Sequence, residues 1–226
     1  MSALQIVDDD YQGTAQWRDD RAGCFTASIF GALAYERGEF KSGPRKGQSK
    51  PSPKSRMDEI DRVVAEILTG QPKESISARP LEYGKDMEPE AMAAYEAKTG
   101  RMVEVCGFIR HPMYAFVGAS PDFLVDDEGG GEIKCPMSIV VHATTLREGL
   151  PPEHVEQIQG GLWVTDRQWW DFVSFNPKFP AGLALYVQRV TRDESVIARI
   201  QADCLEAWSE VTTIVATLKG KNHERH

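Results

Sequence analysis

Apolar residues recur along the chain at two spacings, and these predict its elements. Between residues 57 and 70 they fall at Ile60, Val63, Val64, Ile67 and Leu68, the spacing of a helix with one buried face. Gly70 and Pro72 stop it. The same spacing covers residues 193–219, with apolar positions at 196, 197, 200, 204, 205, 208, 211, 214, 215 and 218, and predicts a long C-terminal helix over the core. Residues 81–100 are helical in pattern but contain Pro89, which predicts a kink or a fresh helix start. Shorter helices are predicted over 17–23, over 29–33 behind the hydroxyl caps of Thr26 and Ser28, over 138–146, and over 154–164 behind Pro151-Pro152-Glu153. Extended runs occupy 102–109, 115–125, 132–135, 169–175 and 183–190. This order predicts an α/β fold, a mixed central β-sheet flanked by helices, in one domain of 226 residues.

The stretch from Gly118 to Pro136 holds the candidate chemistry. Asp122 follows Ser120-Pro121 at the head of Phe123-Leu124-Val125, and Glu132 and Lys134 flank Ile133. Between them, Asp126-Asp127-Glu128-Gly129-Gly130-Gly131 reads as a hairpin turn whose glycines are free to take positive φ. Residues i and i+2 of a strand share a face, so Glu132 and Lys134 project together. Pairing of the two strands brings Asp122 beside them, and one patch then holds two carboxylates and an ammonium. Such oxygens suit Mg²⁺, which polarises a phosphate and acidifies a bound water, while Lys134 orients or deprotonates that water. A bare Glu-x-Lys is more often an exposed ion pair worth ~0–1 kcal/mol. The Ser-Pro-Asp, the glycines and the Lys-Cys-Pro, arriving in that order, favour the site.

Composition narrows the setting. No apolar run approaches the ~20 residues of a membrane span, and Met1–Asp10 has no leader pattern, so a cytoplasmic protein is expected. Cys24, Cys106, Cys135 and Cys204 are scattered, without a Cys-x-x-Cys, and read as reduced thiols, not as a disulfide frame or zinc site. The net charge of −8 opposes nucleic-acid binding unless the cations are segregated. They are: between Phe40 and Met57 lie Lys41, Arg45, Lys46, Lys50, Lys54 and Arg56 and no acid. Glycines and prolines there predict a basic loop over about 40–57, either a solvated insertion or a clamp on phosphates.

Ser120-Pro121-Asp122 followed by Glu132-Ile133-Lys134-Cys135-Pro136 resembles the PD-(D/E)xK nuclease signature, and in particular its bacteriophage lambda exonuclease (YqaJ-type viral recombinase) branch. The resemblance runs from about Trp17 to the C-terminal helix, and the cysteine pattern sets the chain apart from the iron–sulfur members of that superfamily. It implies a restriction-endonuclease-like core and a Mg²⁺-dependent exonuclease, with Mn²⁺ able to substitute. Such an enzyme digests one strand of a duplex 5′ to 3′ and leaves a 3′ strand for annealing recombination. By the same resemblance Asp122, Glu132 and the carbonyl of Ile133 ligate metal. Glu88, after Gly84-Lys85, joins them. Lys134 and Gln157 position the water, with Gln159, on another helix face, as the alternative glutamine. The Trp17…Arg21…Gly23…Thr26-Ala27-Ser28 pattern implies that Arg21 and Ser28 bind a DNA 5′-phosphate with Ser120. Lys41, Arg45, Lys46, Lys50, Arg79 and Leu81 are further DNA-contact candidates.

One departure is visible. The family's basic residue past Lys-Cys-Pro is replaced here by Ile139, Val140 and Val141, leaving His142 or Arg147 as substitutes. The implied partners are double-stranded DNA ends, two further copies in a homotrimeric ring, and a single-strand annealing protein. The implied setting is the cytoplasm of a bacterial host, with a phage or prophage origin. The rival readings are a structure-specific or restriction-type endonuclease and a non-catalytic DNA-end-binding module.

Overall fold

The computed structural model describes residues 13–35, 53–73 and 79–223, with residues 79–81 and 221–223 described by their backbone alone. Two mixed sheets are packed among helices. The first joins β1 (Phe25–Thr26), β2 (Ile109–Arg110) and β3 (Val117–Ala119) in the order β1-β3-β2. The second joins β4 (Phe123–Val125), β5 (Gly129–Lys134), β6 (Trp169–Phe175) and β7 (Leu185–Thr191) in sequence order. Its outer pairs are antiparallel and β5 runs parallel to β6. Parallel neighbours need a crossover, here α5 (Ile139–Glu148), a 3₁₀ turn over Pro152–His154 and α6 (Val155–Thr165).

The run predicted as one strand over 115–125 divides at Ser120-Pro121, with β3 in one sheet and β4 in the other. Proline lacks the N–H that a ladder needs. The dipeptide therefore bridges the sheets and points the chain from one to the other directly before Asp122. Most of 102–109 is irregular; Glu104 makes an isolated bridge to Leu124 before β2 begins.

The three glycines are not the turn. The turn is Asp126-Asp127-Glu128, with Asp126 at φ 47°, and Gly129, Gly130 and Gly131 are ladder residues of β5 without positive φ. A Cβ on Gly131 would lie 1.9 Å from Phe123 Cζ, and one on Gly129 would lie 2.0 Å from Trp169 Cζ2. Aromatic rings of β4 and β6 occupy the space that side chains would need.

The remaining helices are α1 (Ala15–Arg21), α2 (Phe30–Leu33), α3 (Lys54–Thr69), α4 (Arg79–Thr99) and α7 (Glu194–His223). α4 passes through Pro89 without a break; its Ala91 and Tyr95 are fully buried against β4, β5 and β6, and Tyr95 donates to Asp171 on β6. α7 buries Ile197, Ile200, Cys204, Ala207 and Val211 with Phe30, Leu33, Ile60 and Val63 of α2 and α3. α3 begins at Lys54, inside the stretch predicted as loop. Arg56 is accordingly no clamp residue: it is fully buried and donates to the Leu33 carbonyl and to Glu210. Among the described residues no helix is long and apolar enough to cross a membrane.

Candidate active site

β4 and β5 bring the two ends of the motif together. Asp122, at the head of β4, is buried and accepts the Ile133 N–H at 2.6 Å. Ile133 buries its side chain in the core, so Glu132 and Lys134 share the other face, as a strand requires. Lys134 Nζ donates to Glu132 Oε1, and Gln157 Nε2 of α6 donates to the same oxygen. Gln159 is elsewhere: it donates to the Thr191 carbonyl and accepts the Asp193 N–H, tying α6 to the start of α7. Of the two glutamines, Gln157 is the one whose side chain lies on Glu132. Gly160 and Gly161 let α6 approach, since a Cβ at Gly160 would lie 2.3 Å from Phe30 and one at Gly161 would lie 3.1 Å from Trp170.

Glu88 reaches the same field from α4. Burial and then the nearby Glu132 push its carboxyl up to about 6. Burial, Glu132 and Glu88 push Asp122 well above the usual carboxylate range. Burial alone would lower the Lys134 ammonium, but Glu132, Asp122 and Glu88 outweigh it and hold the pKa above its ordinary value. Asp122 and Glu88, both raised by burial and by Glu132, join Glu132 in a donor set of hard oxygens around the Lys134 ammonium. That set fits Mg²⁺, which binds through one or two carboxylates and keeps several waters. Among the described residues no three His, Cys, Asp or Glu side chains converge closely enough to hold a metal ion together.

A cavity of about 230 Å³ opens onto this patch, and Arg21, Ser28 and Ser120 line it together with Asp122, Glu132 and Gln157. Arg21 donates to Ser120 Oγ at 3.3 Å and to Thr26 Oγ1 at 3.2 Å, and Thr26 and Ser28 share a hydrogen bond. The Trp17 indole also donates to Ser120, and the Arg21 guanidinium lies 4.0 Å above the Trp17 ring. Burial, then the neighbouring Arg62, lower the Arg21 pKa to about 10. Thr26 and Ser28 do not cap the following turn, a 3₁₀ helix over Ala27–Ile29 without a side-chain cap; the Thr26 hydroxyl accepts from Arg21 and shares its other hydrogen bond with Ser28.

Sequence reasoning missed what holds this pocket from behind. α3 carries Arg62, which donates to Glu66 and to the Cys24 carbonyl, and Glu66 accepts the Gly23 N–H. The Arg62-x-x-x-Glu66 spacing advertises a helical ion pair; its reach to the turn beside Arg21 has no local signature. The substitutes considered past Lys-Cys-Pro are otherwise engaged. His142 is fully buried, with one ring nitrogen on Ser174 and the other on the Leu183 carbonyl, and Arg147 is exposed and paired with Glu148. Lys41, Arg45, Lys46 and Lys50 lie outside the described residues. So do the side chains of Arg79 and Leu81.

The YqaJ-like viral recombinase domain matches residues 16–168. Among solved structures, an alkaline exonuclease (LHK-Exo) from Laribacter hongkongensis is 31% identical with a TM-score of 0.82, covering 94% of this chain and 100% of its own. The same exonuclease in complex with dAMP is 32% identical, with the same TM-score and coverage. A phage-related exonuclease from Haemophilus somnus 129PT shares the fold at 16% identity and a TM-score of 0.63, over 86% of this chain and 96% of its own. No curated protein matches the chain.

Proposed function

The chain belongs to the YqaJ-like viral recombinase family, and we propose that this nuclease is a Mg²⁺-dependent exonuclease that digests one strand of duplex DNA 5′ to 3′ from an end. The observation that carries the reading is the single cavity shared by Arg21, Ser28 and Ser120 with Asp122, Glu132 and Gln157. A terminal phosphate carries more charge than an internal diester, and a guanidinium fork grips it through two hydrogen bonds. Held there, the end sets which phosphodiester reaches the carboxylates, so the pocket fixes register as well as affinity.

Asp122, Glu132 and the Ile133 carbonyl would hold Mg²⁺, with Mn²⁺ able to replace it and Glu88 available to a second ion. When bound, the ion polarises the scissile phosphate and acidifies a water. Lys134, kept as an ammonium by three carboxylates, holds that water and offsets the charge that builds on the phosphorus oxygens. Gln157 fixes the rotamer of Glu132. The product class is a deoxynucleoside monophosphate, and dAMP, bound by the similar LHK-Exo, belongs to it. The remaining 3′ strand would pass to a single-strand annealing protein, in the cytoplasm of a bacterial host. We read the whole of 1–226 as one nuclease domain and its working form as a homotrimeric ring around the duplex. Such a ring closes through heterologous contacts; sedimentation as monomer alone, with and without DNA at micromolar concentration, would overturn it.

The deciding experiment measures initial rates on linear duplexes labelled at either end and carrying a 5′-phosphate or a 5′-hydroxyl, with Mg²⁺. The wild type is expected to prefer the 5′-phosphate and to release label from the 5′ end first. Arg21→Ala is expected to lower the 5′-phosphate rate to that of the hydroxyl, and Arg21→Lys to restore part of the difference. Cutting of covalently closed circles would favour an endonuclease, and binding without hydrolysis an end-binding module.

A further inference from the structure

A second cavity, of about 310 Å³, shares no lining residue with the Arg21 cavity. The two meet along β5, where Glu132 lines the first and Lys134 the second. Val141 and Thr145 of α5, Pro151, His154 and Phe172 form part of the second wall. The carboxylates of Glu88 and Glu153 also line it, while its hydroxyls and Lys134 are committed to the fold. Thr145 Oγ1 donates to the Val141 carbonyl, Ser174 is bonded to His142, and Lys134 to Glu132.

His154 differs from the other histidines whose side chains are described. His111 accepts two backbone N–H groups on Nδ1, and His142 uses both ring nitrogens inside the core. The half-buried His154 ring stacks on Phe172, with centroids 5.6 Å apart and planes 27° apart. Neither of its nitrogens has a hydrogen-bond partner among the described residues. Burial, then the Lys134 charge, lower its pKa against the opposing pull of Glu132, which leaves a neutral imidazole with one N–H donor to offer.

A strand has a direction. With its 5′ end on Arg21 and its scissile phosphate between Glu132 and Lys134, the chain must continue past Lys134, into the space that His154 faces. We propose that this cavity is the subsite for the nucleotide immediately 3′ of the scissile phosphate, and that the His154 N–H donates to the phosphodiester that follows it. This rests on the end-directed reading above and gives that reading a second grip on the strand. The digested strand is then held on both sides of the cut.

The test is a thermodynamic cycle. Wild type, His154→Phe and His154→Gln are compared on a 5′-phosphorylated duplex and on one whose second phosphodiester from the 5′ end is a methylphosphonate. Single-turnover rates are measured with Mg²⁺, and affinities by fluorescence anisotropy in EDTA, with Lys134→Ala as the blank for hydrolysis. Loss of one hydrogen bond to a charged oxygen corresponds to about a 10- to 100-fold effect. The methylphosphonate is expected to slow and weaken the wild type by such a factor. His154→Phe, which keeps the ring on Phe172, should show the same loss on the natural duplex and no further loss on the modified one. His154→Gln should retain most of the wild-type behaviour. Independent, multiplying losses would overturn the proposal, as would a Phe variant that behaves as wild type or a Gln variant as impaired as Phe. If wild type hydrolyses, Lys134→Ala does not and the cycle shows no coupling, the subsite alone is wrong. If wild type does not hydrolyse the natural duplex, the nuclease reading falls and takes the subsite with it.

Discussion

Burial and the neighbouring Glu132 raise both Asp122 and Glu88, the latter from an ordinary 4.5 to about 6. A carboxyl raised on folding holds its proton more tightly in the folded state. Its stabilising contribution is therefore full below the unfolded value and is lost as pH rises through the folded one. From Glu88 the metal-free protein should lose stability between pH 4.5 and about 6, with Asp122 extending the loss upward. A divalent cation should return it at pH 8 and do little at pH 4.5. Melting curves in EDTA and in MgCl₂ across that range check this; a metal-free melting temperature that climbs steadily from pH 4.5 to 7 would contradict it. Asp122→Asn removes one of the mutually repelling charges, so it should raise the metal-free melting temperature at pH 8 while abolishing both hydrolysis and stabilisation by Mg²⁺. Lys134→Ala should cost about 10²–10⁴-fold in rate and leave DNA affinity nearly intact, because affinity is spread over many phosphate contacts. A strand's period of two makes Glu132 and Lys134 legible as a pair from sequence. Glu88 lies on a helix far upstream, where no spacing rule distinguishes it from Glu82 or Glu90; only the family pattern points to it. Thr26 shows the opposite failure, since a hydroxyl before a helical run reads as a cap until its contact with Arg21 is seen.

β5 begins with three consecutive glycines, yet it is an inner strand of the four-stranded sheet. Local rules make such a run a turn, because glycine weakens strands and permits positive φ. The cause lies in Phe123, Trp169 and Trp170, which crowd the three Cβ positions from neighbouring strands. Two of these residues belong to a strand on the far side of the α5–α6 crossover, which is why the pairing is invisible locally. Gly131→Ala places a methyl 1.9 Å from Phe123 Cζ and should destabilise by about 1–3 kcal/mol. It should also reduce activity, because Phe123 follows Asp122 directly. Gly84→Ala, with nothing within 4 Å of the added Cβ in α4, should instead stabilise by about 0.5–1 kcal/mol. Paired urea denaturation curves separate the two; equal shifts would mean that backbone propensity, not ring packing, explains the glycines. At Pro89 no fresh helix starts, for a related reason. Its propensity penalty of ~3 kcal/mol is a local quantity, and the burial of Ala91 and Tyr95 that outweighs it is tertiary.

A chain with net charge −8 must hold a polyanion with cations that its own fold has not already engaged. Many of the described arginines are engaged: Arg56 with Glu210, Arg62 with Glu66, Arg101 with Asp126, Arg189 with Asp171 and Arg192 with Glu194. Net charge, the one electrostatic quantity composition yields, says nothing about which cations are taken. We propose that Lys41, Arg45, Lys46 and Lys50, in a stretch with no acid between residues 41 and 57, meet the duplex backbone. Each phosphate neutralised on duplex DNA releases condensed counterions and adds about −0.9 to the slope of log affinity against log salt. Replacing all four by alanine should flatten that slope by up to about 3.6 if each meets one phosphate, and by less in proportion if fewer do. The loss should be the same on unrelated sequences, since phosphates carry no base identity. Hydrolysis at saturating DNA should stay close to wild type, because Asp122, Glu132 and Lys134 are untouched, and the preference for a 5′-phosphate should persist through Arg21. Affinities titrated over a salt series, together with rates at saturation, give the answer. An unchanged slope would assign the backbone contacts elsewhere, and a collapsed saturating rate would mean that these cations take part in placing the scissile phosphate.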